Sequence, residues 1–310
     1  MYNRILGAAI LITGCLISNP QPLPGQVPLT INVLATFDYP GSGNSTTVQG
    51  INDDGDVTGY FEDASGAVRS FIRYAEGTFS DPIVEPNDTG NITLAKDIDN
   101  TGRICGYYFE GSDVNYPYRG FFLSGTTFTE IGFLQENTYI NGINDAGDFC
   151  GSLGLDLGAL NESFLTFADG QTFVFGVGNF DEANGINVHT GIVGDYWDAA
   201  HPAIHHGYLR YPEHLYNDRI VAPVDYPGST STFLFGLNDG GRVIVGKYVD
   251  SQGTTHGLVL QRPNIFTSFE YTGAAETSLN AINNHKIVAG YYADRSGVHH
   301  GFIAKIIEAR

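Results

Sequence analysis

One phrase returns six times along this chain, and it constrains the fold more than any other feature. A small residue (Asp in one copy) precedes Ile or Leu, then Asn or Asp and a turn, with a Gly seven or eight residues on. The copies run Gly50-Ile51-Asn52 to Gly59, Asp97-Ile98-Asp99 to Gly106, Gly142-Ile143-Asn144 to Gly151, Gly185-Ile186-Asn187 to Gly194, Gly236-Leu237-Asn238 to Gly246, and Ala281-Ile282-Asn283 to Gly290. Counted at the Ile or Leu, they stand 47, 45, 43, 51 and 45 residues apart. A period of about 45 residues carrying strand-like segments belongs to blade-repeat or solenoid proteins.

Each unit parses into four short strands. The first ends at the Ile-Asn pair, and the second carries a phrase such as Val57-Thr58-Gly59-Tyr60 or Ile104-Cys105-Gly106-Tyr107. Between them lie turns such as Asn52-Asp53-Asp54-Gly55 and Asn144-Asp145-Ala146-Gly147. Asn and Asp there bond their own backbone, and Gly accepts a left-handed conformation, so these are hairpins. A charged residue before Gly-Phe opens the third strand, as in His300-Gly301-Phe302. The fourth is an apolar segment around Phe79, Phe128, Phe173, Val224 or Phe269. The last unit stops short of a fourth strand, while Ala35-Thr36-Phe37-Asp38-Tyr39-Pro40-Gly41-Ser42 near the N-terminus matches Ala222-Pro223-Val224-Asp225-Tyr226-Pro227-Gly228-Ser229. Pairing the spare strand with the incomplete unit removes two open sheet edges. The expectation is an all-β fold: a six-bladed β-propeller of four-stranded blades over residues 30–310, closed by the N-terminal strand. An open β-solenoid is the alternative.

The 310 residues, 42% hydrophobic, suffice for one large domain, and 40 Gly with 18 Tyr and 20 Phe suit short strands and tight turns. A net charge of −19 repels phosphate backbones and anionic lipid, so nucleic acid is not an expected partner. Residues 1–18 read as a secretory signal, with Arg4 ahead of the apolar run Ile5 to Ile12. Ile12-Thr13-Gly14-Cys15 resembles a bacterial lipobox, so Cys15 is either a lipidation site or one residue of an ordinary signal peptide. Membrane association is expected only through that anchor. Residues 19–29, with Pro20-Gln21-Pro22-Leu23-Pro24-Gly25, read as a tether. Cys105 and Cys150 hold the same repeat position and read as buried core residues.

The repeats resemble those of bacterial "probable extracellular repeat, HAF family" proteins. The match runs through Gly50-Ile51-Asn52-Asp53, Gly55, Val57, Gly59 and Tyr60, and through His206-Gly207-Tyr208, His256-Gly257-Leu258 and His300-Gly301-Phe302. Units one to three depart from it, with Arg69, Arg119 and Glu162 where His is expected. The resemblance implies an exported repeat protein and brings no catalytic residue to carry over.

Candidate chemistry comes from three places. Asn52, Asp99, Asn144, Asn187, Asn238 and Asn283 would form a ring at one channel mouth, able to hold a polar ligand, although capping their own turns explains the recurrence more simply. His206, His256 and His300 read as a repeated structural hydrogen bond. Unit four is irregular: Asp195, Trp197, Asp198 and His201 sit in a run from Gly194 to His206 that is two residues longer than in units one, five and six. That run could form a ligand loop, with Trp197 stacking on a sugar; Tyr116 in unit two belongs to a similar aromatic loop. Metal binding is not expected, because His201 and His205 converge only on a helix and Pro202 lies between them. Asn52-Asp53-Asp54-Gly55-Asp56 lacks the length and terminal Glu of a calcium loop. No Gly-x-Ser-x-Gly, His-Glu-x-x-His or phosphate-loop motif is present, and no cofactor is expected. The expected function is a module that binds an extracellular ligand, glycan or protein. The alternative is a lyase or hydrolase with its site at the channel mouth or unit four.

Overall fold

The computed structural model describes residues 29–111, 115, 117–133, 136–155, 160–197, 200–213 and 217–308. The signal segment, Cys15 and the tether up to residue 28 lie outside them. The described residues form strands and turns throughout. A first strand, β1 (Leu29–Phe37), precedes six units. Unit one comprises β2 (Ser42–Ile51), β3 (Val57–Asp63) and β4 (Val68–Arg73); unit two β5 (Thr93–Ile98), β6 (Ile104–Phe109), β7 (Tyr118–Ser124) and β8 (Thr127–Ile131). Unit three comprises β9 (Asn137–Ile143), β10 (Phe149–Leu155), β11 (Leu160–Thr166) and β12 (Thr172–Phe175); unit four β13 (Phe180–Ile186), β14 (Ile192–Trp197), β15 (His206–Glu213) and β16 (Asn217–Val221). Unit five comprises β17 (Ser231–Leu237), β18 (Val243–Val249), β19 (Thr255–Gln261) and β20 (Ile265–Phe269); unit six β21 (Glu276–Ile282), β22 (Ile287–Ala293) and β23 (His299–Glu308).

Within each unit consecutive strands pair antiparallel. Unit six lacks a fourth strand of its own, and β1 supplies it, pairing antiparallel with β23 from Leu29↔Glu308 to Phe37↔Gly301. In unit one the fourth strand shrinks to two bridges, Ser70↔Ile83 and Arg73↔Phe79. In unit four it ends at Val221, so Val224 lies beyond it and is held instead by its N–H donating to the Gly207 carbonyl at 2.7 Å.

The core divides into six apolar clusters, one at each boundary between consecutive units. Ile98, Ile104, Tyr108 and Phe121 of unit two take in Ile72 of unit one, and Cys105 of unit two joins Ile140 and Phe164 of unit three. Cys150 of unit three packs with Ile186, Ile192 and Tyr208 of unit four. Units four and five meet around Leu209, Leu234 and Leu258, and units five and six around Val259, Leu279 and Phe302. The sixth cluster joins the ends of the chain, where Val48, Phe61 and Phe71 of unit one pack on Ala281 and Ala289 of unit six and on Tyr39. Both cysteines are buried free thiols. Aromatic stacks cross the same boundaries: Tyr226 lies on Tyr248 at 3.7 Å, Tyr271 on Tyr292 at 3.8 Å and Tyr39 on Phe61 at 3.9 Å. Stacked pairs of this kind contribute about 0.5–1.5 kcal/mol beyond their burial.

The six inner strands, β2, β5, β9, β13, β17 and β21, share one irregularity. In each the pairing register slips by one residue three to one positions before Ile-Asn, which marks a β-bulge. The bulge drives a carbonyl against the Gly of the second strand. A Cβ on Gly59, Gly106, Gly151, Gly194, Gly246 or Gly290 would stand 1.8–2.1 Å from that oxygen, so only Gly fits. The residue left unpaired is Gln49, Lys96, Asn141, Asn184, Phe235 or Asn280, and the bulge re-aims its side chain.

Candidate functional site

All six bulged side chains line one cavity of about 270 Å³, enclosed by the inner strands of every unit. Three of them tie their unit to the next. The Asn141, Asn184 and Asn280 side-chain amides donate to the Ala183, Leu234 and Val48 carbonyls at 3.1, 3.1 and 2.7 Å. Lys96 departs from this scheme: its ammonium donates to Gln49 Oε1 at 3.0 Å, and among the described residues it has no carboxylate within ion-pair distance. Asp97, beside it, stands where the other units carry Gly or Ala. Its two oxygens accept the Ile98 and Ile143 N–H groups at 2.9 and 3.1 Å, the second in unit three. Burial pushes the Asp97 carboxyl up to about 7.

Glu182 lines the same cavity from unit four, and no described residue hydrogen-bonds its carboxyl. Burial, reinforced by the charge of Asp195, pushes it up to about 7, while burial pushes the Lys96 ammonium down. Lys96 and Glu182 are too far apart to pair, yet each responds to the other's charge. Tyr60, Phe235, Lys247, Tyr291 and His299 complete this end of the wall. Lys247 lies 3.5 Å from Glu276, which also accepts the Tyr291 hydroxyl at 2.7 Å. Burial lowers the His299 pKa.

The irregular unit four builds an acid–imidazole pair near this rim. Asp195 is buried and accepts from Asn184 Nδ2 at 2.8 Å; its other oxygen meets His205 Nδ1 at 2.7 Å. The imidazole sits between Trp197 and Phe233, at ring distances of 4.8 and 4.4 Å. Trp197 is itself stacked on Phe180 at 4.5 Å and is half-buried. Of the residues that sequence pointed to here, Asp195 and Trp197 are therefore joined through His205. His201 is exposed on the loop. Asp198 and Tyr116 lie outside the described residues.

The ring of Asn52, Asp99, Asn144, Asn187, Asn238 and Asn283 follows directly on the inner strands, five of the six lining the same cavity, and its polar atoms serve the fold. Each Oδ1 accepts backbone N–H groups of its own turn, as Asn283 does from His285 and Ile287 at 3.0 Å. The amides of Asn52, Asn144, Asn187 and Asn283 then donate to backbone carbonyls of the next unit, the last of them to Asn52 at 2.9 Å. One residue further on, a belt alternates acid and amide: Asp53, Asn100, Asp145, Val188, Asp239 and Asn284. Asn100 bridges Asp53 and Asp145, and Asn284 bridges Asp239 and Asp53.

His206, His256 and His300 form the repeated clamp. They meet Asp225 at 2.7 Å, Asp250 at 3.1 Å and Asp38 at 2.8 Å, and Arg69 does the same with Asp63 at 2.9 Å. Among the described residues no cluster of three His, Cys, Asp or Glu side chains could hold a metal ion.

The bulged positions were open to sequence reading. Two residues before the Ile or Leu stand Gln, Lys, Asn, Asn, Phe and Asn, five of the six polar. Only the register slip shows that they face the lumen.

No family model matches the chain, and no curated protein matches it in sequence. Solved structures do match in shape. TolB from Acinetobacter baumannii superposes with a TM-score of 0.55 at 11% identity, over 81% of this chain and 65% of that one, so this chain spans about two thirds of it. A mutant of AofleA from Arthrobotrys oligospora gives 0.50 at 11% identity, over 91% and 90% of the two chains. A prolyl endopeptidase gives 0.50 at 11% identity, over 91% of this chain and 43% of that one. At such identities the likeness speaks for the fold alone: this is an all-β protein of β-propeller type.

Proposed function

We propose that this chain is an exported binding module of the HAF-repeat type, a closed six-bladed β-propeller that takes a small polar ligand into its central cavity. Closure is supported by the six boundary clusters, by β1 completing unit six, and by the Asn280 and Asn283 bonds from unit six to unit one. The ligand reading rests on one observation. Five inner- and second-strand residues that differ in kind from their counterparts in most other units, Lys96, Asp97, Glu182, Phe235 and Lys247, lie on the wall of one cavity. A channel that served closure alone would carry the amide cross-link in every unit. Sites of small ligands are concave pockets with a few convergent polar groups, as this one is.

The test is a thermal-shift screen of neutral, acidic and basic metabolites against the wild type and a Gln49→Trp variant, whose indole fills the lumen. A compound that raises the melting temperature of the wild type and not of the variant supports the reading. Shifts that survive Gln49→Trp, or no shift with any compound, overturn it. The Asp195–His205 pair favours a second reading, an extracytoplasmic lyase or hydrolase. It predicts turnover of an extracellular polymer that His205→Ala abolishes. Export is tested by fractionation, and Cys15 by fatty-acid labelling of the wild type against Cys15→Ser.

A further inference from the structure

We infer that the ligand of the central cavity is a neutral, hydroxyl-rich sugar, held by a hydroxyl group that bridges Lys96 and Glu182. The inference deepens the binding-module reading and rests on it.

The argument starts from the hydrogen-bonding inventory of the lumen. An ammonium carries three N–H donors, and that of Lys96 uses one, on the neutral amide oxygen of Gln49 at 3.0 Å. The Glu182 carboxyl has no partner among the described residues, although it faces the same space. Both residues are half-buried and open to the lumen, so their remaining donor and acceptor sites are available to a molecule that enters it. The two do not satisfy each other, because they stand beyond ion-pair distance. A hydroxyl between them closes both deficits at once: its oxygen accepts from the Lys96 ammonium and its hydrogen is donated to Glu182. A purely donor group cannot serve the Lys96 ammonium, and a purely acceptor group cannot serve an ionised Glu182.

The surrounding wall repeats the pattern. Asn141 and Asn184 spend their amide N–H groups on backbone carbonyls and on Asp195, which leaves their side-chain carbonyl oxygens as acceptors for further hydroxyls. Phe235 and Tyr60 offer ring surface to the C–H face of a sugar ring. The volume, about 270 Å³, is that of roughly nine waters at about 30 Å³ each and just below the range of drug-sized sites. It suits one sugar ring.

Charge argues for neutrality. Burial already disfavours the ionised forms of Asp97, Glu182 and Lys96. A ligand carboxylate would add a third acid beside the first two, and a ligand ammonium would add a second base beside Lys96. A hydroxyl adds no charge to either side.

Matched sugars separate these cases. The full-length protein is titrated calorimetrically with glucose, glucuronate and glucosamine, and with galactose, galacturonate and galactosamine. Lys96→Met and Glu182→Gln are titrated in parallel, with Lys96→Gln as the variant that retains a polar side chain, and all are checked by circular dichroism for retained folding. The expected result is binding of a neutral hexose at least tenfold tighter than its acid or amine counterpart. Lys96→Met and Glu182→Gln should each weaken it tenfold or more, about 1.4 kcal/mol. A uronate or hexosamine that binds more tightly than the hexose would overturn the sugar inference and leave the cavity as a ligand site. Binding of a hexose unchanged in both variants would overturn it too. If only compounds other than sugars are bound, the inference fails and the binding module stands; if the Gln49→Trp screen also finds nothing, both fail.

Discussion

Replacing Asn283 tests how unit six is held to unit one. Its side chain is 4% exposed and makes three hydrogen bonds: Oδ1 accepts from His285 and Ile287 at 3.0 Å, and Nδ2 donates to the Asn52 carbonyl at 2.9 Å. At about 0.5–1.5 kcal/mol each, Asn283→Ala should cost about 1.5–4.5 kcal/mol. The structure narrows this. The Asn52 carbonyl keeps a second donor, the Gly55 N–H at 3.2 Å, and His285 is exposed, so water can replace one of the turn bonds. The cost should therefore be about 2–3 kcal/mol. Asn283→Asp separates the turn from the junction. Its carboxylate still accepts both turn N–H groups, but the second oxygen now faces the Asn52 carbonyl with nothing to donate. In unit two Asp99 occupies the equivalent place and meets this need with Arg103 Nε at 3.0 Å on its second oxygen; unit six has His285 and Lys286 beside the turn but Ile287 where Arg103 stands. Asn283→Asp should thus be less stable than wild type at pH 7 and recover in acid, where a protonated carboxyl donates to Asn52. The sign follows from linkage: a carboxyl whose folded pKa is raised loses stability as pH climbs through the interval between its unfolded and folded values. Urea denaturation of both variants at pH 7 and pH 4.5 measures this. An Ala variant within about 0.5 kcal/mol of wild type, or an Asp variant without acid recovery, would refute the reasoning.

Further outcomes follow from the same geometry. Gly246→Ala places a Cβ 1.9 Å from the Phe233 carbonyl and should cost more than about 3 kcal/mol or abolish folding, read by circular dichroism and chemical denaturation. Thr190, a β-branched residue at φ 56°, holds the turn position that is Gly in four units, so Thr190→Gly should stabilise by about 1 kcal/mol in the same assay. Tyr39→Ala removes the stack on Phe61 and the hydroxyl bond to the Ser80 carbonyl at 2.9 Å and should cost about 3–5 kcal/mol, against about 1 for Tyr39→Phe. Glu182 is raised to about 7 in the folded state, so its ionisation opposes folding as pH climbs from its unfolded value of about 4.3 to 7. Glu182→Gln should flatten the decline of melting temperature over that interval and raise the melting temperature at pH 8.

The strand order and the pairing of the N-terminal strand with the last unit were legible because they rest on local chemistry. Asn or Asp with Gly announces each hairpin, and an unmatched apolar strand at one end calls for an edge at the other. The six repeated Gly residues were visible, but the carbonyl they accommodate was not, since it belongs to a bulge in another strand. The same bulge hid the cavity. An ideal alternation assigns Lys96 and Asn141 to one face or the other by counting, and a slip of one residue resets the count. In unit four the sequence drew attention to Trp197 and His201, where the loop is long. The fold instead joins Asp195 to His205, because Trp197 and Phe233 fix the plane of that imidazole, and sequence spacing carries no information on such packing.

The belt of Asp and Asn beside the ring also sets a rule of parity. Asp53, Asp145 and Asp239 come from units one, three and five, with Asn100 and Asn284 from units two and six between them. The parallel bridges between units, Val68↔Ile92, Asn161↔Phe180 and Thr255↔Glu276, likewise join one to two, three to four and five to six. Outside unit four, where Val188 stands, the belt therefore repeats two units at a time. Losing unit four alone, with its Val188, would set Asp145 beside Asp239 with no amide donor between them, whereas losing units one and two together would keep an amide, Asn284, facing a carboxylate, Asp145.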